Sequence, residues 1–519
     1  MEINRQVVVL GKMANPHVAE EGMMAPLLKQ GRPAVNGGLH PSTHQKSRDH
    51  QVEEPEEAAL LQQTWMELKK LWAIVGPTIF TRLAMYGMYV VTQAIVGHLG
   101  DLQLAALSIA LTVIVGFNYG FLFGMASALE TLCGQAYGAR KYPMLGIYLQ
   151  RSILVLLACA LLLLPTYFFT TPILKLVGET DEIAELTGHI ALWLIPQQFS
   201  LVFLFPLTRF LQCQLKIMII AWMAGASLLI HIFLSWLLVS FFGLGLIGAV
   251  VALNIGWWVA PLWQILYVVC GGCPDTWTGL SWQGLLGLWE FTKLSLASGV
   301  MLCLENWYYR ILVILTGNLS DAEIALDALS ICMTINGWEM MIPFAFFAAI
   351  GVRVSNELGA GNGKGARFAT IVSVLTSTVI GLFFWALIVI LHNKFALLFT
   401  SSAVVLAATS KLAVLLAFTI LLNSVQPILS GVAVGSGWQA YVAYVNVGCY
   451  YIFGLPVGVV LGWVFHLGVA GIWGGMIGGT AVQTLILGVI TIRCDWEKEA
   501  WMAYLRINKW KVSCSPTHE

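Results

Sequence analysis

From Leu71 onward the chain is a succession of apolar runs parted by short polar breaks. Each run is close to the roughly twenty residues an α-helix needs to cross a bilayer. About twelve can be counted, centred near Tyr86, Gly116, Leu156, Phe199, Leu229, Val259, Tyr308, Trp338, Val379, Phe418, Tyr451 and Gly479. A backbone inside hydrocarbon must satisfy its own hydrogen bonds, which leaves such a chain little choice but a bundle of spanning helices. Composition agrees: 10% of the residues are charged, against about 25% in soluble domains. The pattern predicts an all-α polytopic membrane protein embedded in a lipid bilayer. The formal net charge is zero, so nothing points to nucleic acid.

Residues 1–64 are polar, with charges of both signs and scattered Pro and Gly. They are expected to form a disordered cytosolic tail rather than a signal peptide, with Met13 an alternative start. The ten cysteines suggest no disulfide framework. Cys270-Gly-Gly-Cys273 is a single CxxC with no second pair nearby, so a loop turn is expected there, with no metal and no cofactor.

Basic residues mark the cytosolic side of a membrane protein. Arg140 and Lys141 follow span 2, Arg209 and Lys216 bracket the break after span 4, and Arg353, Lys364 and Arg367 follow span 8. Arg493, Lys498, Arg506 and Lys509 follow span 12, whereas the breaks GETDEIAE and GNLSDAE are acidic. Both termini are therefore expected in the cytosol. The chain also repeats itself: GHLGDLQLA–ALSIA at 97–110 matches GNLSDAEIALDALSIC at 317–332. Tyr137-Gly-Ala matches Leu358-Gly-Ala, Pro206 matches Pro427, and Leu244-Gly-Leu-Ile-Gly248 matches Leu467-Gly-Val-Ala-Gly471. Six spans separate the copies, so both halves enter the membrane the same way. Parallel repeats of this kind build two lobes around a cavity that opens to either side in turn, as in secondary transporters. The expected segments are 1–64 (tail), 65–282 (first lobe, spans 1–6), 283–493 (second lobe, spans 7–12) and 494–519 (cytosolic C-terminal tail). No nucleotide-binding loop is present, which disfavours an ATP-driven pump.

Charged residues inside spans are costly, and they mark ion and substrate pathways. Glu305 lies mid-span in LCLENWYYRILVIL (302–315) and shares a helical face with Ser298, Tyr308 and Tyr309. Pairing with Arg310, five residues on, is disfavoured by spacing, so Glu305 is expected to line the cavity and exchange a proton. Span 8 carries Asn336, Glu339 and Pro343 on one stripe, which makes Glu339 a second proton-coupling candidate. Span 1 carries Arg82, Tyr86, Tyr89 and Gln93 at helical spacing, expected to wall the cavity from the first lobe; hydrogen bonding inside that lobe is the alternative. The first lobe's spans offer only Glu130 as an acid, near the cytosolic end of span 2.

SALETLCGQAYGA (127–139), VRVSNELGAGN (352–362), QPILSGVAVGSGWQ (426–439) and the VGHLG after span 1 resemble the multidrug and toxic compound extrusion (MATE) family, its plant detoxification branch in particular. The resemblance covers about residues 65–500. It implies twelve spans in two lobes and exchange of organic solutes for protons or sodium. The Gly-rich basic turns are read as packing and topology elements. The family's acid in an LExWY-like motif of span 7 corresponds to Glu305 within Leu304-Glu305-Asn306-Trp307-Tyr308. The resemblance makes Glu305 the proton-coupling and substrate-competing group, with Arg310 tuning it. Two positions depart from the family. Thr92 stands where bacterial members often carry Asp, and Asn423 where some eukaryotic members carry an acid in span 10.

The reading is an antiporter that exports amphipathic organic solutes (secondary metabolites, hormones or xenobiotics) from the cytosol in exchange for protons, as a monomer. The expected substrate contacts are Arg82, Tyr86, Tyr89, Gln93, Asn306, Trp307, Tyr308, Tyr309, Asn336 and Asn423. Arg82 and the amide at Asn423 leave open a passive or weakly coupled anion pathway. Glu56-Glu-Ala-Ala-Leu60-Leu61 fits an acidic dileucine sorting pattern, which tilts the choice between plasma and vacuolar membrane towards the vacuole.

Overall fold

The computed structural model describes residues 56–317, 322–392 and 394–512. Among the described residues all regular structure is helical. Twelve long helices succeed one another: α1 (Ala59–Gly97), α2 (Asp101–Gly138), α3 (Pro143–Phe168), α4 (Asp181–Cys213), α5 (Ile217–Phe241), α6 (Gly245–Gly272), α7 (Leu288–Thr316), α8 (Ile324–Gly359), α9 (Gly363–Leu391), α10 (Ala403–Ser436), α11 (Gln439–Val464) and α12 (Gly468–Arg493). Eleven are long and apolar enough to cross a membrane. The remaining one, α7, is 29 residues long and carries Glu305, Asn306 and Arg310 at its centre. Each expected span centre falls inside one of these helices. Asn318, Ser320 and Asp321, in the acidic break after α7, lie outside the described residues.

The ends differ from expectation. Residues 59–64, read as part of the polar tail, are the first turns of α1, with Leu60 and Leu61 exposed. The C-terminal segment, also read as a tail, contains a helix, α13 (Trp496–Val512). Its Trp496, Ala500, Ala503 and Ile507 are buried, spaced four, three and four as one face of a helix requires. Hydropathy misses both segments because they lie beyond the apolar runs; the first stays largely exposed, and α13 is buried on one face by packing against the bundle.

Proline shapes the second lobe. Pro343 cannot donate to the carbonyl of Glu339, and α8 breaks at Met340. Pro427 likewise cannot donate to the carbonyl of Asn423, and α10 breaks at Ser424–Val425. Both breaks fall where the polar side chains of the second lobe gather.

The two lobes meet through glycine. A Cβ on Gly138 of α2 would lie 2.0 Å from the carbonyl oxygen of Asn356 on α8, and one on Gly359 of α8 would lie 2.1 Å from that of Gln135 on α2. Gly138 and Gly359 occupy corresponding places in Tyr137-Gly-Ala and Leu358-Gly-Ala, so the repeat reappears as a reciprocal helix crossing. Small residues allow this approach because helix association in lipid relies on close packing. A second crossing joins the halves where Gly124 of α2 meets Gly299 of α7.

Candidate functional site

Glu305 is half-buried and held only by neutral donors. Ser430 Oγ on α10 donates to Glu305 Oε1 at 3.0 Å, and Asn446 Nδ2 on α11 donates to the same oxygen at 3.2 Å. Gln426 Nε2 donates to Ser430 Oγ at 3.1 Å, and Gln483 Nε2 on α12 donates to Asn446 Oδ1 at 3.1 Å. Four helices of the second lobe therefore converge on one carboxylate.

A second polar group lies at the proline breaks. Tyr309 Oη donates to Asn423 Oδ1 at 2.9 Å, and Asn423 Nδ2 donates to Asn336 Oδ1 at 3.0 Å. Glu339 follows Asn336 by three residues on α8; it is 6% exposed, with neither carboxylate oxygen hydrogen-bonded. Beside this group is a cavity of about 10 Å³ lined by Tyr309, Asn423 and Thr480 among others, room for a single water.

The first lobe treats its acid differently. Glu130 is fully buried and ion-paired with Arg209 Nη1 on α4 at 2.7 Å. Arg209 lies three residues beyond Pro206, as Ser430 lies three beyond Pro427. The repeated position thus holds a cation beside the first lobe's acid and a hydroxyl beside the second lobe's acid. An Arg pair holds a carboxylate ionised, whereas neutral donors leave its charge uncompensated.

The α1 stripe does not line one wall. The Arg82 guanidinium lies over Phe123 of α2 at 5.8 Å and over Phe344 of α8 at 5.4 Å, with Nε buried and unpartnered. Tyr86 meets Trp338 of α8 edge-on at 5.3 Å. Tyr89 turns into its own lobe, where its hydroxyl accepts from Gln197, and Gln93 is half-buried. Thr92 is also internal, its Oγ1 3.1 Å from His231 Nε2. Arg82 and Tyr86 are therefore lobe-to-lobe contacts, and Tyr89 follows the alternative of hydrogen bonding within the lobe.

The stretch 304–310 is likewise divided. Asn306, Trp307 and Arg310 face α2: Asn306 approaches Gly120, Trp307 meets Phe117 at 6.0 Å, and Arg310 Nη1 donates to the carbonyl of Thr112 at 3.2 Å. Thr112 lies in a π-helical segment, Ala110–Val115, of the kind that interrupts the regular helical ladder. Arg310 is therefore not placed as the partner that tunes Glu305, because the hundred-degree step of the helix turns it to the other lobe.

Tyr308, expected at the substrate wall, is fully buried. It stacks on Tyr450 at 4.3 Å and donates its hydroxyl to the carbonyl of Met476 at 2.9 Å. Tyr308→Phe should cost about 1 kcal/mol of stability through the lost hydrogen bond, a fall of about 2 °C in melting temperature in detergent. Substrate selectivity should not change. An unchanged melting temperature with altered selectivity would place Tyr308 in the transport path instead.

At the end of the bundle bearing the basic breaks, the motif residues close the gap between lobes. Thr131 Oγ1 donates to the carbonyl of Val434 at 2.5 Å, and Gln439 Nε2 to Thr131 Oγ1 at 2.7 Å. Gln135 Nε2 donates to the carbonyl of Gly435 at 3.0 Å, and Asn356 Nδ2 to that of Cys213 at 3.2 Å. Arg353 binds Glu67 of α1 through Nε at 2.8 Å and Nη2 at 3.0 Å. The basic turns thus do more than pack: their polar side chains seal this end. In the nearby CxxC, Cys270 is exposed while Cys273 is buried with its Sγ 3.2 Å from Lys216 Nζ.

Sequence reasoning missed Ser430, Gln426, Asn446 and Gln483 around Glu305. A signal was present, since each is a hydrogen-bonding side chain inside an apolar run, where such groups need partners.

The MatE family model matches residues 77–237 and 297–460. The chain is 65% identical over 462 residues to Protein DETOXIFICATION 27 of Arabidopsis thaliana, covering 89% of this chain and 95% of that protein. It is 61% identical over 459 residues to Protein DETOXIFICATION 26 of Arabidopsis thaliana, covering 88% and 94%. The fold matches the crystal structure of the eukaryotic MATE transporter AtDTX14 with a TM-score of 0.81 at 36% identity, over 86% of this chain and 99% of that one. It also matches the Vibrio cholerae MATE transporter VcmN in its bent form, with a TM-score of 0.71 at 17% identity over 88% and 100%, a likeness of fold. The chain belongs to the multidrug and toxic compound extrusion (MATE) family: it is a multi-pass membrane transporter of the detoxification type, not an enzyme.

Proposed function

We propose that the protein exports amphipathic organic solutes from the cytosol in exchange for protons, by alternating access, and that Glu305 is the coupling group. The observation that carries this reading is the contrast between the two lobes' acids: Glu130 is ion-paired with Arg209, whereas the described donors to Glu305, Ser430 and Asn446 among them, are neutral. A carboxylate bound by neutral groups can take up and release a proton without breaking an ion pair. Glu339, buried and unpartnered, is the second candidate. Trp307 and Tyr309, on α7, are proposed substrate contacts, because aromatic faces bind flat amphipathic solutes by stacking and area burial, with the Asn306 amide as a polar contact beside them. Asn336 and Asn423 would complete the polar side of that surface. We take the sealed basic end as cytosolic by the positive-inside rule, with both termini there, the protein acting as a monomer, and the vacuolar membrane favoured over the plasma membrane by the acidic dileucine pattern. Reconstituted vesicles test the reading: solute accumulation should follow an imposed pH gradient and collapse with a protonophore, and gradient-independent uptake would overturn it.

A second reading, transport of organic anions, is favoured by the buried, unpartnered Nε of Arg82 beside the Arg209–Glu130 pair. Arg82→Gln should then slow organic-acid uptake about tenfold, one charge-assisted contact's worth, and leave neutral solutes unchanged. Equal loss for both classes would reduce Arg82 to a lobe contact on Phe344.

A further inference from the structure

We propose that Arg506, carried by α13, is a positioning residue of the transport cycle: it ties the two lobes together at the basic end, so that the C-terminal helix sets how readily that end opens. Arg506 Nη1 donates to Gln135 Oε1 on α2 at 2.6 Å, and Nη2 donates to the carbonyl of Ser436 on α10 at 3.3 Å. One guanidinium therefore bridges the first lobe and the second. Its planar fork suits this, since it offers several donors in a fixed geometry.

The surroundings hold Arg506 in place. The guanidinium sits against Gly437, where an added Cβ would lie 2.7 Å from Nη2. Gly437 has φ +85, a backbone state that favours glycine. Trp438 Nε1, next in sequence, donates to Glu499 of α13 at 3.0 Å. On the other side, a Cβ on Gly363 would lie 2.6 Å from the carbonyl of Trp496. Helix α13 thus crosses beneath the turns α8–α9 and α10–α11, anchored by its buried Trp496, Ala500, Ala503 and Ile507. Among the described contacts of the seal, those of Thr131, Gln135, Asn356, Gln439 and Arg353 come from the spans themselves. Arg506 reaches in from outside them.

Opening the basic end separates Gln135 from Ser436, and one guanidinium cannot follow both. The bridge therefore stabilises the closed state without touching the substrate surface around Glu305. The inference rests on the transporter fold, not on proton coupling.

Native Cys213 supplies the readout. It is fully buried, with its backbone carbonyl at the seam accepting from Asn356 of α8 and its Sγ against the carbonyl of Glu130 on α2, whereas Cys133 is buried against the carbonyl of Leu145 on α3. Alkylation of both would be followed by peptide mass spectrometry in the full-length protein in proteoliposomes, without substrate or gradient. Arg506→Ala should speed modification of Cys213 about tenfold, the factor expected from one lost charge-assisted hydrogen bond, and leave Cys133 unchanged. Arg506→Lys, a single-point donor, should fall between wild type and Ala. Ile507→Ser, which weakens the docking of α13 and leaves Arg506 in the chain, should act in the same direction as Ala. Unchanged Cys213 rates in Arg506→Ala would overturn the proposal, and so would a parallel rise at Cys133, which would mean a loosened lobe rather than an opened seam. Failure of proton coupling would appear instead as gradient-independent uptake, with the labelling result intact.

Discussion

Vesicles carrying the Glu305→Gln variant should show no pH-driven accumulation, although the protein inserts, folds and binds solute. An antiporter that exchanges one proton per neutral solute can accumulate that solute about tenfold for each pH unit of gradient, because one unit is worth about 1.4 kcal/mol. Without a titrating group the inside-to-outside ratio should fall to one. Gln preserves the shape and still accepts from Ser430 and Asn446, whose bonds both end on Oε1. It cannot release a proton. Exchange of labelled for unlabelled solute needs no gradient and should survive. Glu305→Asp keeps the acid but shortens its reach to donors on two other helices, and should retain partial accumulation. If the Gln variant accumulates solute normally under a pH gradient, Glu305 is not the coupling group, and Glu339 becomes the acid to test.

Gly359→Val should be nearly as damaging, for a steric reason. Its Cβ would lie 2.1 Å from the carbonyl oxygen of Gln135 and 2.7 Å from the carbonyl carbon behind it, and both are backbone atoms of another span. No side-chain rotation relieves that contact, so α2 and α8 must part at the basic end. Overpacking a well-filled core costs about 1–3 kcal/mol, which lowers the closed population about tenfold or more. Uptake should fall in step, while alkylation of Cys213 rises. Gly138→Val, the repeat-related change, should do the same, because its Cβ would lie 2.0 Å from the carbonyl oxygen of Asn356. Gly474→Ala, on α12 with open space around it, serves as the control and should transport normally. Wild-type uptake by Gly359→Val would show that this crossing does not close during the cycle.

Much of the architecture was legible without coordinates. Twelve apolar runs of spanning length name twelve helices, because a bilayer admits almost nothing else. The repeat names two lobes and pairs Gly138 with Gly359, though the structure alone brings the two into one crossing. Glu305 announces itself by its cost. The surroundings of Glu305 were less legible. Ser430, Asn446 and Gln483 come from spans 10, 11 and 12, and no local spacing says which faces of three helices turn inward together. Helical periodicity placed Tyr308 and Tyr309 beside Glu305, yet it could not say that Tyr308 packs inside the lobe against Tyr450 while Tyr309 reaches Asn423.

What the sequence by itself determined is therefore what each segment pays for alone. The length of a span, its apolarity and the expense of a lone carboxylate are properties of one helix in lipid. Partnership is a property of several helices at once. That Arg209 neutralises Glu130, that Arg310 turns away from Glu305 to the carbonyl of Thr112, and that the C-terminal segment is a docked helix with Arg506 bridging two lobes were all decided by the tertiary structure. The physical reason is that hydrogen bonds and ion pairs act over about 3 Å, while the groups that make them here stand as far as 371 residues apart in the chain.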